Sequence, residues 1–170
     1  MKKFVLLAVV LVAIAGAVDA DAADNQLRAG GGLVFDGTVW GGGAAFDIGI
    51  GDRPLAITPF LEYYSKSGLT LMNFGADITY VTGVADGKAD VYLGVGAGMV
   101  RSSVDNSTLD SGSALLVDVR GGLNYGITES VGIYGEVKYM WADKDGTATK
   151  VGVDLSDVGA LVGISFTLGQ

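Results

Sequence analysis

The chain has 170 residues, of which 49% are hydrophobic, 18% are charged and 28 are glycine, a composition sized for one domain and too apolar for a disordered chain. It contains no cysteine and no histidine, which excludes disulfides, a thiol nucleophile, a lipoprotein acylation site, and the commonest general base and transition-metal ligand. A formal charge of −8 argues against nucleic acid as a partner.

The N-terminus has the layout of an export signal. Lys2 and Lys3 form a basic start, Phe4 to Val18 is an almost purely apolar run, and Ala20-Asp21-Ala22 is a small-x-small cleavage signal. Residues 1–22 are therefore expected to be removed as a signal peptide, and residues 23–170 to form one barrel domain. The apolar run is short for a membrane helix, and no later run approaches the roughly 20 residues such a helix needs.

From Leu27 onward the period changes to two. Eight alternating segments follow, at about Leu27–Phe35, Val39–Ile50, Leu55–Tyr64, Leu69–Val81, Ala89–Arg101, Ala114–Tyr125, Ser130–Trp141 and Val158–Leu168. Most have the roughly 9–11 residues that cross a bilayer at a tilt. Compact turn signals at Gly51-Asp52-Arg53-Pro54, Gly83 to Lys88 and Gly126-Ile127-Thr128-Glu129 alternate with longer polar connections at Ser102–Ser113 and Ala142–Asp157. Pro59 lies inside the third segment and removes a ladder donor, so a bulge is expected there.

Alternation alone does not say which face points outward, because a soluble eight-stranded barrel alternates with its apolar face inward. Three features favour apolar outward, one being the signal peptide, which places the chain beyond the inner membrane. The polar face is rich in glycine (Gly30, Gly32, Gly41, Gly43, Gly49, Gly94, Gly96, Gly98), which suits a narrow lumen better than a solvated exterior. Aromatic residues on the apolar face gather near segment ends: Phe35, Trp40, Tyr63, Tyr139 and Trp141 at one level, Tyr80, Tyr125 and Phe166 at the other. Two aromatic girdles are the mark of a membrane-spanning barrel.

With the signal peptide, the glycine-rich first hairpin, the segment "YGITESVGIYGEVKY" (Tyr125–Tyr139) and a last strand reading "GALVGISFTLG", the chain from Leu27 onward resembles the small outer-membrane β-barrel superfamily of porin-family, opacity-protein-like domains. The resemblance implies an all-β, eight-stranded closed antiparallel transmembrane barrel in the cell outer membrane. It also implies outer-membrane lipid and lipopolysaccharide as surroundings, with the barrel-assembly machinery and periplasmic chaperones as assembly partners. That family usually ends on an aromatic residue, whereas here Phe166 is followed by Thr167, Leu168, Gly169 and Gln170.

The polar face carries Arg28, Asp47, Glu62, Asp77, Asp118, Arg120, Glu136 and Lys138. Eight strands leave an interior just wide enough for side chains, so these charges are expected to form an ion-pair plug rather than line a conducting path. Neither Gly94-x-Gly96-x-Gly98, which lies within a strand and has no helix after it, nor Asp143-x-Asp145 with Asp154, which lacks the turn glycine of a calcium loop, makes a convincing cofactor or metal site. No cofactor and no enzymatic activity are expected. The favoured reading is a structural or surface-interaction protein acting through its two long loops, with no surface partner legible; the alternative is a narrow channel for ions or small solutes.

Turn chemistry suggests two registers. Gly37-Thr38 as a two-residue type II′ loop would pair Asp36 with Val39 and set Arg28 opposite Asp47. A turn centred on Thr128 would set Arg120 opposite Glu136 and Asp118 opposite Lys138; one centred on Ile127 would bring Asp118 against Glu136, two like charges in a low dielectric, and is disfavoured. As a test of the whole reading, the mature protein should be recovered from the outer-membrane fraction as a heat-modifiable band whose first residue is Ala23. Recovery of native protein from the soluble periplasmic fraction would instead support the soluble barrel.

Overall fold

The computed structural model describes residues 23–34, 39–66, 68–85, 87–104, 112–143 and 157–168. The expected signal peptide, Phe35, the Gly37-Thr38 turn and most of both long connections lie outside the described residues.

Eight strands form one closed antiparallel barrel: β1 (Gln26–Val34), β2 (Val39–Gly49), β3 (Leu55–Lys66), β4 (Leu69–Val84), β5 (Ala89–Val104), β6 (Gly112–Gly126), β7 (Val131–Ala142) and β8 (Asp157–Thr167). Each pairs with its sequence neighbour, and β8 closes on β1 from Gln26↔Thr167 to Val34↔Gly159. The strands form where the alternation lies, with β4 and β5 each running three residues further than the pattern at the C-terminal end. The short-turn end is tied together by the first described residues: Ala23 N donates to Arg53 O at 3.0 Å, and Leu168 N donates to Asn25 O at 2.8 Å.

The barrel is inside out relative to a soluble one. Trp40, Ile57, Leu61, Ile78, Leu115, Val137 and Val162 are exposed large apolar residues, while Arg28, Arg120 and Lys138 are among the most deeply buried side chains. Trp40, Tyr63, Tyr125, Trp141 and Phe166 are exposed at the strand ends, whereas Tyr80 and Tyr139 are half-buried on the same outer wall; Tyr139 packs edge-on against Trp141 at 4.3 Å. A continuous apolar exterior costs free energy in water and is stable only against hydrocarbon.

Three local expectations need correction. In the first hairpin Val34 pairs with Val39, so four residues connect the strands instead of two, and Arg28 lies opposite Ala45 while Asp47 lies opposite Gln26. In the sixth hairpin Arg120 lies opposite Lys138, Glu136 opposite Gly122 and Asp118 opposite Met140. The reason is the turn: Ile127 N and Thr128 N both donate to Val131 O, and Thr128 Oγ1 accepts from Ser130 N and Val131 N, which makes a longer loop than the sequence suggests. Both errors are shifts of two residues, which keep every side chain on its face. Pro59 makes no bulge. The β2–β3 pairing lapses between Ala45↔Phe60 and Ile48↔Ile57 and resumes in the same register, while Pro59 stays paired to Ala76 of β4. The missing N–H thus costs ladder contact on one side without inserting a residue.

Val162, 68% exposed and flanked by Gly31 of β1 and Gly135 of β7, stands at mid-strand on the outer wall. Val162→Arg should destabilise the folded protein in lipid by about 2–4 kcal/mol, read by reversible urea unfolding in bilayers. An effect near zero would mean that this wall does not face hydrocarbon.

Candidate functional site

The chemistry-bearing side chains converge inside the barrel. β1 carries Arg28, β2 Asp47, β3 Glu62, β4 Asp77, β6 Asp118 and Arg120, and β7 Glu136 and Lys138, and each of these residues is between 1% and 6% exposed. The alternation points all eight inward, and closure of the sheet brings strands distant in sequence face to face.

Arg28 donates from Nε and Nη2 to Asp47 at 3.0 and 2.9 Å, a bidentate clasp made along a diagonal of the β1–β2 ladder. Its remaining nitrogen, Nη1, reaches Glu136 at 2.7 Å. Thr58 Oγ1 also donates to Asp47, at 2.7 Å, and Tyr92 donates to Glu136 at 3.0 Å. Arg120 stands among four carboxylates: Asp77 at 2.5 Å, Asp118 and Glu136 at 3.3 Å, and Glu62 at 4.0 Å. Lys138 pairs with Glu62. Glu136 bridges the two guanidiniums, so the network is one connected body spanning six strands. The diagonal contacts explain why Arg28–Asp47 and Arg120–Glu136 meet although neither pair is directly opposed. Asp118 and Lys138 are not directly opposed either.

Sequence reasoning missed the interior aromatics. Tyr92 and Tyr134 lie over the Arg28 guanidinium at 4.2 and 5.8 Å, Phe60 over Arg120 at 4.3 Å, and Tyr64 by the Lys138 ammonium at 5.3 Å. Each ring is directly cross-strand from a glycine: Phe60 from Gly75, Tyr64 from Gly41, Tyr92 from Gly122 and Tyr134 from Gly163. A Cβ at Gly122 would meet the Tyr92 ring, and one at Gly41 the Tyr64 ring, so the glycine makes room for the aromatic. These rings have the parity of the polar face, but their cation–π role needs the register.

A second layer was equally hidden. Val34, Val39, Tyr64, Leu71, Val100, Ala114, Leu116, Met140 and Ala142 form a buried apolar cluster toward the end of the long connections, above the charged layer. At the opposite end the interior is polar, with Asn124 accepting from Ser165 Oγ at 2.5 Å. The remaining space among Arg28, Arg120, Glu62, Glu136 and Tyr134 is a small cavity. Among the described residues no three acidic side chains converge as a metal cage.

No family model matches the chain, and no curated protein matches it by sequence. Its likeness is to solved structures. The N-terminal β-barrel domain of Pseudomonas aeruginosa OprF aligns with TM-score 0.64 and 15% identity over 87% of this chain and 99% of that one. Neisserial surface protein A aligns with TM-score 0.59 and 17% identity over 88% and 98%. Ail, the attachment invasion locus protein of Yersinia pestis, aligns with TM-score 0.57 and 13% identity over 88% and 99%. At such identities the likeness establishes the fold, the small eight-stranded outer-membrane barrel, and the exposed apolar belt fits it to that membrane.

Removing one member of an enclosed ion pair leaves an uncompensated charge. Lys138→Met should therefore destabilise the barrel by about 3–5 kcal/mol, and the double variant Lys138→Met, Glu62→Gln should recover much of that loss. Equilibrium unfolding of the two variants in detergent or lipid measures both. A single variant as stable as wild type would show that Glu62 has a route to solvent.

Proposed function

We propose that the chain is a non-conducting, non-enzymatic outer-membrane barrel with a structural or surface-interaction role. The observation that carries this reading is the filled interior: a connected ionic layer with aromatic rings laid on its cations, and above it an apolar layer closing the end of the long connections. An eight-stranded bore leaves little space beyond its side chains. An ion crossing it would have to break the charged network and also enter an apolar plug with no polar partner, which is costly. The sequence has no histidine, the commonest general base, and the lumen carboxylates stand against cations that hold them in pairs. Two of the barrels it resembles bear names describing a surface protein and an attachment invasion locus protein. A role for the long connections in surface contact accords with those names.

Planar-bilayer recording on the purified, refolded protein tests the closed lumen. Wild type should give no large, stable conductance steps. Because the lumen has two layers, Glu136→Ala alone should also remain closed, whereas Tyr64→Ala together with Leu116→Ala should admit current if the apolar layer is the tighter seal. Stable ionic steps from the unmodified protein would replace this reading with that of a narrow channel.

A further inference from the structure

At one place on the outer wall apolar residues give way to a cation. Among the described strand residues that face outward, Arg101 is the only one that carries a charge. It is exposed and stands three residues before the end of β5, toward the long connections. An arginine surrounded by hydrocarbon is costly, and the cost fades only near the interface, where a long side chain reaches the headgroups. Its position obeys that limit. Arg101 is the next outward residue beyond Met99, and its β4 partner, Met72, also pairs with the girdle residue Tyr63.

Hydroxyls surround this cation. Ser113 of β6 lies directly opposite it, Ser103 is the next outward residue on its own strand, Ser103 pairs with Thr70, and Thr70 pairs with Ser65. Tyr63 Oη lies 3.5 Å from Thr70 Oγ1. The collar is confined to β3–β6. On β7, β8, β1 and β2 the outermost outward-facing strand residues are Trp141, Val158, Leu33 and Trp40. One row deeper the same wall is apolar, with Phe74 paired to Met99 and Met99 to Leu115, all three exposed. A guanidinium carries five N–H donors in a planar fork, so Arg101 can keep its contact within the protein and serve a phosphate as well.

We propose that Arg101, with the hydroxyls of Ser103, Ser113 and Thr70, docks the phosphate of an outer-leaflet lipid whose acyl chains lie along Phe74, Met99 and Leu115. The wall repeats the order of such a lipid, hydrocarbon below and anion above, and the cation matches the anion in charge and in fork geometry. A free phosphate would use only the upper half of this arrangement, so the occupant is a lipid. The site lies at the foot of the β5–β6 connection and on one side of the barrel, so the bound headgroup borders that connection and no other strand pair holds its equal. It belongs to the outer wall and stands whether or not the lumen conducts.

The test is the lipid preference of the refolded full-length mature protein in phosphatidylcholine vesicles. Electron spin resonance of chain-labelled lipids reads it, because labels held against the barrel are motionally restricted. Ionic strength is kept physiological to screen diffuse surface attraction. Wild type should hold labelled phosphatidic acid several-fold more strongly than labelled phosphatidylcholine, and more strongly than labelled stearic acid, which has a charge and no phosphate. Arg101→Gln should remove most of that preference, and Arg101→Lys, which keeps the charge and loses the fork, should retain only part of it. Arg53→Gln, at the opposite rim, should leave it unchanged. Absence of a preference in wild type overturns the proposal, as does one that Arg101→Gln leaves intact or that Arg53→Gln removes equally. Equal retention of stearic acid overturns phosphate as the recognised group, and displacement by added inorganic phosphate overturns the lipid as its source. Arg101 is exposed, so its variants should refold, and heat-modifiability checks that they do; the wild-type comparisons stand without them.

Discussion

Every backbone amide of a strand in hydrocarbon must find its partner within the protein, because no water is present to replace one. Closure of β8 on β1 meets that demand and removes the edges. The rest of the structure follows from closing with only eight strands. The exterior must match lipid, so it is built of valine, leucine, isoleucine and aromatic side chains. The interior is left so narrow that its contents have to fit one another. Even the exception at Pro59 is contained: the ladder lapses toward β2 and holds toward β4, without a change of register.

Enclosure gives the charged interior its character. Eight titratable side chains a few per cent exposed cannot rely on water to screen them, so each is placed against an opposite charge, a hydroxyl or a ring face. Glu136 is the keystone, because it joins the Arg28 half of the network to the Arg120 half. The apolar layer toward the long connections packs by different physics, exclusion of water rather than pairing of charge. The stability of such a barrel should depend on composition inside as much as on lipid outside.

Most of the architecture was legible because the property that reveals it, strict alternation, survives the errors sequence reasoning makes. The register of the first hairpin was displaced by two residues and so was that of the sixth, yet Arg28, Asp47, Arg120 and Glu136 all point inward as the pattern implies. Displacement by two leaves parity intact, and arginine is long enough to reach a diagonal partner. Turn length was illegible, since Ile127 and Thr128 both bonding to Val131 is a backbone arrangement with no strong residue signature. The interior aromatics and the apolar layer were illegible for a different reason. Tyr64, Phe60 and Leu116 are ordinary strand residues until the register shows what stands beside them.

The glycine opposite each interior ring has a consequence for how such a barrel can change over time. Phe60 with Gly75, or Tyr92 with Gly122, conserves volume as a couple rather than residue by residue. Enlarging the glycine alone produces a clash, and trimming the ring alone leaves a void above a guanidinium. Exchange of the two across the strand boundary leaves the total volume unchanged. Drift inside the bore is thereby channelled into coordinated double steps, while the lipid-facing wall accepts any apolar side chain one position at a time. A fold shared at 13–17% identity accords with that constraint: it acts on the sum across neighbouring strands more than on the individual letters.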